Sequence, residues 1–255
     1  MAIQERDYCP ATDGLDSYHA AIDAMRERLE SFHSVTIGQA RLYLGDCRQI
    51  LPLLPRHDAV CTDPPYGLKD WNQRGRNAGG KFSDICEETQ EWDQPLEPAD
   101  VAALMKAGKH QILWGANYYL DTLPRTKMFL VWNKGIRRMH FNDAELAWTS
   151  GMREAVRVFD LSPSGLEKEH PTQKPLALMN WCMGYLPKAR TILDPYMGTG
   201  TTGVAAIANG KAFTGIERLP KYFEIACRRI DDANRRPRLD LPQPKCAKRP
   251  EEGLL

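Results

Sequence analysis

No stretch of this 255-residue chain approaches the roughly 18 consecutive apolar residues that a membrane-spanning helix needs, so no membrane partner is expected. Cysteine is present but unorganised. Cys9, Cys47, Cys61, Cys86, Cys182, Cys227 and Cys246 form no CxxC pair and no zinc-ligand spacing, and their number is odd. That argues against a disulfide framework and against a metal module, and it fits reduced thiols in a cytoplasmic protein. The opening "MAIQERDYCP" has no apolar leader segment, which agrees with that location. A net charge of +1 points neither toward nor away from nucleic acid, and no internal repeat is visible.

What the chain does have is distribution. Cations gather at Lys69, Arg74, Arg76 and Lys81, again at Lys134, Arg137, Arg138 and His140, and in the closing "CRRIDDANRRPRLDLPQPKCAKR". Apolar residues at helical spacing predict an amphipathic helix over 17–33, capped by Asp16 or Ser17 and packed on the main domain. From "ARLYLGDC" onward, strands alternate with helices: strand 40–44, helix near 47–54, strand 58–62, helix 99–108, then "QILWG", "KMFLVWN" and "AELAWTS" as strands. The last third reads helix 175–186, strand "TILD", helix 201–209, strand "AFTGIE" and helix 221–233. Such alternation predicts an α/β, Rossmann-like, doubly wound and mostly parallel sheet. The chain divides into an N-terminal helical extension (1–38), a main domain (39–235) and a loose tail (236–255).

Two short motifs carry the chemistry. "ILDPYMGTGTTG" places Gly198, Gly200 and Gly203 in a G-x-G-x-x-G turn between strand and helix, with Glu217 at the end of the next strand. Glycines permit the tight turn, the helix N-terminus offers free N–H groups, and the acid hydrogen-bonds ribose hydroxyls. Taken alone, this fingerprint also fits a nicotinamide-dependent oxidoreductase. The flank differs, because Asp194-Pro195-Tyr196 stands where a dehydrogenase strand runs apolar into its glycines. An acid there suits a ligand that carries an ammonium as well as a ribose, as S-adenosylmethionine does. The second motif is "CTDPPYG" (61–67), a strand that ends on an acid and two prolines. Two prolines remove two backbone donors and fix the chain, which a plain turn does not need.

Asp63-Pro64-Pro65-Tyr66 followed late in the chain by Asp194-Pro195-Tyr196 and the glycines resembles the S-adenosylmethionine-dependent methyltransferases of exocyclic DNA base amines. Gly45-Asp46-Cys47, "ILWGANYY", "ELAWTS" and "HPTQKP" (His170–Pro175) agree in order, over roughly residues 40–230. The order, catalytic motif before cofactor motif, is similar to the permuted β-type group, with a class I methyltransferase fold. The resemblance implies a catalytic half (39–150), a short target-recognition segment (151–169) and a cofactor half (170–235). It implies that Asp46 approaches the adenine of the cofactor and that Thr172, Gln173 and Lys174 line its methionine end, while His170 is structural.

The chemistry fits the same residues. An aryl amine is a poor nucleophile because its lone pair is delocalised into the ring. The Asp63 carboxylate and the Pro64 carbonyl, accepting its two N–H bonds, would pull the nitrogen toward tetrahedral geometry, with Pro65 stiffening the segment and Tyr66 stacking on a flipped base. Cytosine C5 methylation needs a cysteine nucleophile on a Pro-Cys dipeptide, and none exists here. In the resembled superfamily an aspartate at the first motif position goes mostly with N6-adenine and a serine with N4-cytosine, so adenine is expected. RNA and protein relatives usually carry asparagine there, which points to double-stranded DNA. A catalytically degenerate DNA-binding module would carry broken motifs, and both are intact. Residues 68–82 are expected to close over DNA, with Lys69, Arg74, Arg76 and Lys81 on phosphates and Trp71 stacking or wedging. Arg137 and Arg138 are further expected contacts. The nineteen residues 151–169 are too few for a recognition domain with its own core, so Arg153 and Arg157 are expected to read guanine edges in a target of about four base pairs or fewer, or in a relaxed one. Dimers are common in the β-type group; the resemblance leaves open a homodimer and a companion restriction endonuclease.

Overall fold

The computed structural model describes residues 12–67, 93–135, 142–151, 154–163 and 173–236, and only the backbone of 12–18. The described residues form one nine-stranded sheet. Its strands are β1 (Ser34–Ile37), β2 (Ala40–Leu44), β3 (His57–Thr62), β4 (Gly108–Trp114), β5 (Phe129–Asn133), β6 (Ala144–Thr149), β7 (Val156–Asp160), β8 (Thr191–Asp194) and β9 (Ala212–Glu217). The helices are α1 (Thr12–Glu30), α2 (Cys47–Ile50), α3 (Pro98–Ala107), α4 (Leu176–Met183), α5 (Thr201–Ala208) and α6 (Pro220–Arg235). The strand order is β1-β2-β9-β8-β3-β4-β6-β5-β7. From β2 to β4 the neighbours are parallel, whereas β1 and β6 run antiparallel to theirs.

Burial on both faces explains the apolar central strands. On one face Leu178, Ala205, Ile207, Phe223 and Ile230 of α4, α5 and α6 pack on Leu42, Cys61, Ile112 and Phe213. On the other, Ile50, Leu51 and Leu104 pack on Val60, Leu113, Leu193 and Ile216. In α6 the buried Tyr222, Phe223, Ala226 and Ile230 recur at helical spacing, which fixes the face it turns to the sheet. Gly203 lets α5 approach closely, since a Cβ there would lie 2.5 Å from Ile230 and 2.7 Å from Phe213. In doubly wound sheets ligands sit beyond the carboxyl ends of the strands. Here β3, β8 and β9 bring Asp63, Asp194 and Glu217 to one such edge. No helix among the described residues is long and apolar enough to cross a membrane.

Three features differ from the sequence reading. The sheet begins inside the segment read as the helical extension, because Ser34–Ile37 pair with Ala40–Tyr43 as a hairpin turned by Gly38 at φ 56°. Gly38-Gln39 is not a strong hairpin signal, so the short β1 was hidden. Helix α1 starts at Thr12, ahead of Asp16 and Ser17; among its described side chains Met25 is exposed, while Leu29 and the following Phe32 reach the core. Finally, the sequence reading places no strand within 151–169. There Val156–Asp160 form the edge strand β7, parallel to β5, with Arg157 exposed and in register with Leu130.

Candidate active site

Strand β3 ends at Thr62 and delivers Asp63 to the cleft. The following residues are held rigid by more than prolines. Asp93, itself buried, accepts 2.8 Å hydrogen bonds from the backbone N–H of both Tyr66 and Gly67. Gly67 has φ 72° and Gly115 has φ 71°, both in the left-handed region that favours glycine. A Cβ on Gly115 would stand 2.0 Å from the Tyr66 ring, so the ring rests directly on that backbone. Tyr118 stacks on Tyr66 with centroids 4.7 Å apart.

The Asp63 carboxylate accepts a hydrogen bond from the Tyr66 hydroxyl at Oδ1 and from the Lys174 ammonium at Oδ2. Lys174 Nζ also lies 2.9 Å from Glu145 Oε2, and Lys134 Nζ lies 2.6 Å from Glu145 Oε1. The result is an alternating chain of two carboxylates and two ammoniums, neutral in sum. Burial pushes the Asp63 carboxyl up, Lys174 opposes that, and Glu145 adds to it. Burial would also raise Glu145, but Lys174 and Lys134 outweigh it and hold it at about 2. For Lys174, burial would lower the ammonium, yet Asp63 and Glu145 prevail and raise it. Burial, then the Asp63 charge, keeps the Tyr66 phenol protonated as a donor. An ionised carboxylate has about four lone-pair sites. Two are taken here, which leaves acceptor capacity toward the cleft.

The second half of the cleft is the glycine loop. Gly198 (φ 52°) and Gly200 (φ 78°) both need glycine's conformational freedom, and a Cβ on Gly198 would meet nothing within 4 Å. Open space beside a bare backbone is what a ligand cradle requires. Glu217 ties the loop to β9: its Oε2 accepts from Gly198 N at 2.9 Å and its Oε1 from Leu219 N at 2.8 Å. Asp194 accepts from the Thr62 hydroxyl at 2.6 Å and from Tyr196 N at 3.1 Å, and burial raises it to about 6. Arg229 of α6 donates to the Thr199 carbonyl at 2.7 Å, and the Thr199 hydroxyl donates to Gln173 at 3.1 Å. Asp46 caps α2 through Arg48 N at 2.9 Å and also lines the cleft.

One cleft is therefore lined by Asp46, Asp63, Gln173, Lys174, Asp194 and Glu217, with Pro65, Pro195, Tyr196 and Gly198 in the same wall. Its donor set fits S-adenosylmethionine: an acid beside an open glycine backbone for a ribose, buried acidity at Asp194 for a cationic end, and apolar Leu96, Ile216 and Leu219 beside them. Lys174, expected at the methionine end, lies in this wall, but its ammonium is committed to Asp63 and Glu145. Lys134, one of the mid-chain cations, is largely shielded and paired with Glu145. Lys69, Trp71, Arg74, Arg76, Lys81, Arg137, Arg138, Arg153, His170 and Thr172 lie outside the described residues. Sequence reasoning missed Asp93, Glu145 and Tyr118. "WGANYY" offered an aromatic signal for Tyr118, while nothing local marked Asp93 or Glu145. Burial raises the Cys47 thiol to about 11, and hydrogen bonding with Cys182 and burial raise Cys61 as well, so neither thiol is poised as a nucleophile.

Known proteins to which this chain is similar include DNA methylases. Residues 131–228 match a family model described as DNA methylase, of the N6/N4 class. A type II methyltransferase of Haemophilus influenzae, M.HinfI, is 25% identical over 246 residues, covering 76% of this chain and 68% of the relative. A putative methylase of Escherichia coli, YubD, is 24% identical over 212 residues, covering 75% of this chain and 90% of its own. Among solved structures, the PvuII cytosine-N4-specific DNA methyltransferase shares the fold, with a TM-score of 0.52 at 16% identity over 76% of this chain and 87% of that one. Over residues 131–228 the chain resembles the N6/N4 DNA methylases, and over 76% of its length it is similar to a type II methyltransferase.

Proposed function

We propose that the protein methylates the exocyclic amine of a base flipped from double-stranded DNA, and that the base is adenine, modified at N6. The observation that carries this reading is the Asp63 carboxylate, held by Tyr66 and Lys174 beside the cleft that also contains the glycine loop. The cofactor supplies an electrophilic methyl group on a sulfonium. Everything else is the work of this chain's side chains and backbone. Asp63 and the Pro64 carbonyl accept the two amine N–H bonds and so localise the nitrogen lone pair. Acceptors fixed before the substrate arrives cost no reorganisation during transfer, which is why the stapling by Asp93 matters. Tyr66 offers a ring for the base, and flipping that base costs a few kcal/mol. Glu217 and the Gly198 backbone hold the ribose, Asp46 the adenine end, and Asp194 and Gln173 the amino-acid end.

Adenine is favoured by the aspartate at position 63. The test is transfer of labelled methyl from S-adenosylmethionine to unmodified DNA, followed by nucleoside digestion and chromatography. Label in N6-methyldeoxyadenosine is expected. Label in N4-methyldeoxycytidine would replace adenine by cytosine, and label only in RNA or protein would overturn the DNA assignment.

A further inference from the structure

We propose that Glu145 is a positioning residue for methyl transfer, holding the Lys174 ammonium between itself and Asp63 so that Asp63 keeps its strength as an acceptor, and an acceptor site free, for the target amine. The inference rests on the reading of Asp63 as the amine acceptor.

Glu145 stands second in β6, opposite Trp132 of β5, at the end of the sheet where Asp63 lies. It touches two ammoniums and no other charge in the described contacts: Lys134 at 2.6 Å and Lys174 at 2.9 Å. The two contacts differ in kind. Lys174 donates hydrogen bonds to Asp63 and, at 3.3 Å, to the Tyr66 hydroxyl, whereas its approach to Glu145 is a charge contact without hydrogen-bond alignment. Lys174 is nearly buried, with 6% of its side chain exposed, so its charge is weakly screened and must be shared among these neighbours.

Sharing tunes Asp63. A carboxylate owned entirely by one buried ammonium is a poor base and a weak acceptor. One with no ammonium would be protonated by burial and accept nothing at that oxygen. The Glu145 charge lies between these extremes: it draws part of the Lys174 field away and raises the proton affinity of Asp63. Lys134 in turn limits how strongly Glu145 competes. The other groups facing Asp63 are Tyr66 on its own loop, Cys61 in β3, Tyr119 beyond β4 and Asp194 at the end of β8. None of them contacts Lys134, so changes at Glu145 and Lys134 act on Asp63 through Lys174.

Two variants with opposite signs test this. Glu145→Gln leaves Lys174 to Asp63 alone, so the acid limb of the rate–pH profile moves to lower pH, and the maximal rate falls by about tenfold as the acceptor weakens. Lys134→Met leaves Glu145 uncompensated, so it pulls Lys174 from Asp63 and the acid limb moves to higher pH. Single-turnover transfer from labelled S-adenosylmethionine to unmodified DNA is the measurement, with titration of S-adenosylhomocysteine expected to stay within about twofold in both variants. Either limb moving as stated, in whichever variant accumulates folded, supports the proposal. Limbs that coincide with wild type, with rates falling only as the folded fraction falls, reduce Glu145 to a structural residue and overturn it. Asp63→Ala is run alongside. If that variant retains activity, the underlying reading fails, whereas an inactive Asp63→Ala with unmoved limbs sinks only the positioning role.

Discussion

Two neighbouring strands, β3 and β8, each lead into an aspartate followed by proline, at the last residue of β8 and just past the end of β3, yet their acids live differently. Asp63 has 21% of its side chain exposed to the cleft, and its partners are charged or ionisable side chains, Lys174 and Tyr66. Asp194 is 3% exposed, and its hydrogen bonds come from a neutral hydroxyl of the other strand, Thr62, and from its own loop's Tyr196 N–H. An acid with a lysine partner and a free face can act on a substrate. An acid consumed by its own loop shapes the cradle in which a ligand lies. Similar peptides therefore take different work, and the difference is set largely by two residues that neither motif contains, Lys174 and Glu145.

That contrast can be broken at several points. The largest effect is expected for Asp63→Ala, which should lower methyl transfer by a factor on the order of 10² or more, read by label incorporation at saturating cofactor. Next is Lys174→Met, which strands two carboxylates around a buried site. Thermal or denaturant unfolding should show destabilisation of about 3–5 kcal/mol, the range for removing one member of a buried ion pair. Glu217→Ala should weaken S-adenosylhomocysteine by about tenfold in calorimetric titration, since a hydrogen bond to a charged group is lost.

Smaller is the effect of Asp194→Asn, which keeps the shape and removes the charge. Burial raises Asp194 from an ordinary value of 3.8 to about 6, so the folded protein holds this proton more tightly than the unfolded chain does. Stability from this group is therefore full below its unfolded value and is lost as pH rises through about 6. The melting temperature of Asp194→Asn relative to wild type should accordingly rise across that interval, and a flat difference would contradict the assignment. Smallest is Arg157→Ala on the exposed edge of β7, expected to leave stability within about 0.5 kcal/mol and to reduce the salt slope of DNA binding by about 1 if Arg157 meets a phosphate. An unchanged slope would remove Arg157 from the DNA face.

The strands of the parallel core were legible because each is an apolar run between turn signals, and the two Asp-Pro motifs because their residue types are rare at strand ends. β1 and β7 were not legible. Both are short strands at the two edges of the sheet, and β7, "VRVFD", leaves Val156 and Val158 exposed, so neither shows the buried pattern that marks a core strand. Glu145 and Asp93 were illegible for a different reason. Glu145 belongs to a strand whose local pattern explains it fully, and only the antiparallel placement of β6 beside β4 and β5 brings it toward Lys174. Long-range pairing of charges leaves no mark on the local sequence. Lys174 shows the same limit: its motif foretold the cleft but not the partner.

The division of labour between Asp63 and Glu217 is tested most directly by one crossed measurement: methyl transfer to unmodified DNA and affinity for S-adenosylhomocysteine, each determined for Asp63→Ala and for Glu217→Ala. Asp63→Ala is expected to bind like wild type and to transfer at about one hundredth of its rate or less, while Glu217→Ala is expected to bind about tenfold more weakly and to recover much of its rate at high cofactor. Wild-type transfer by Asp63→Ala, or unchanged binding by Glu217→Ala, would contradict the division of labour between the two strand ends.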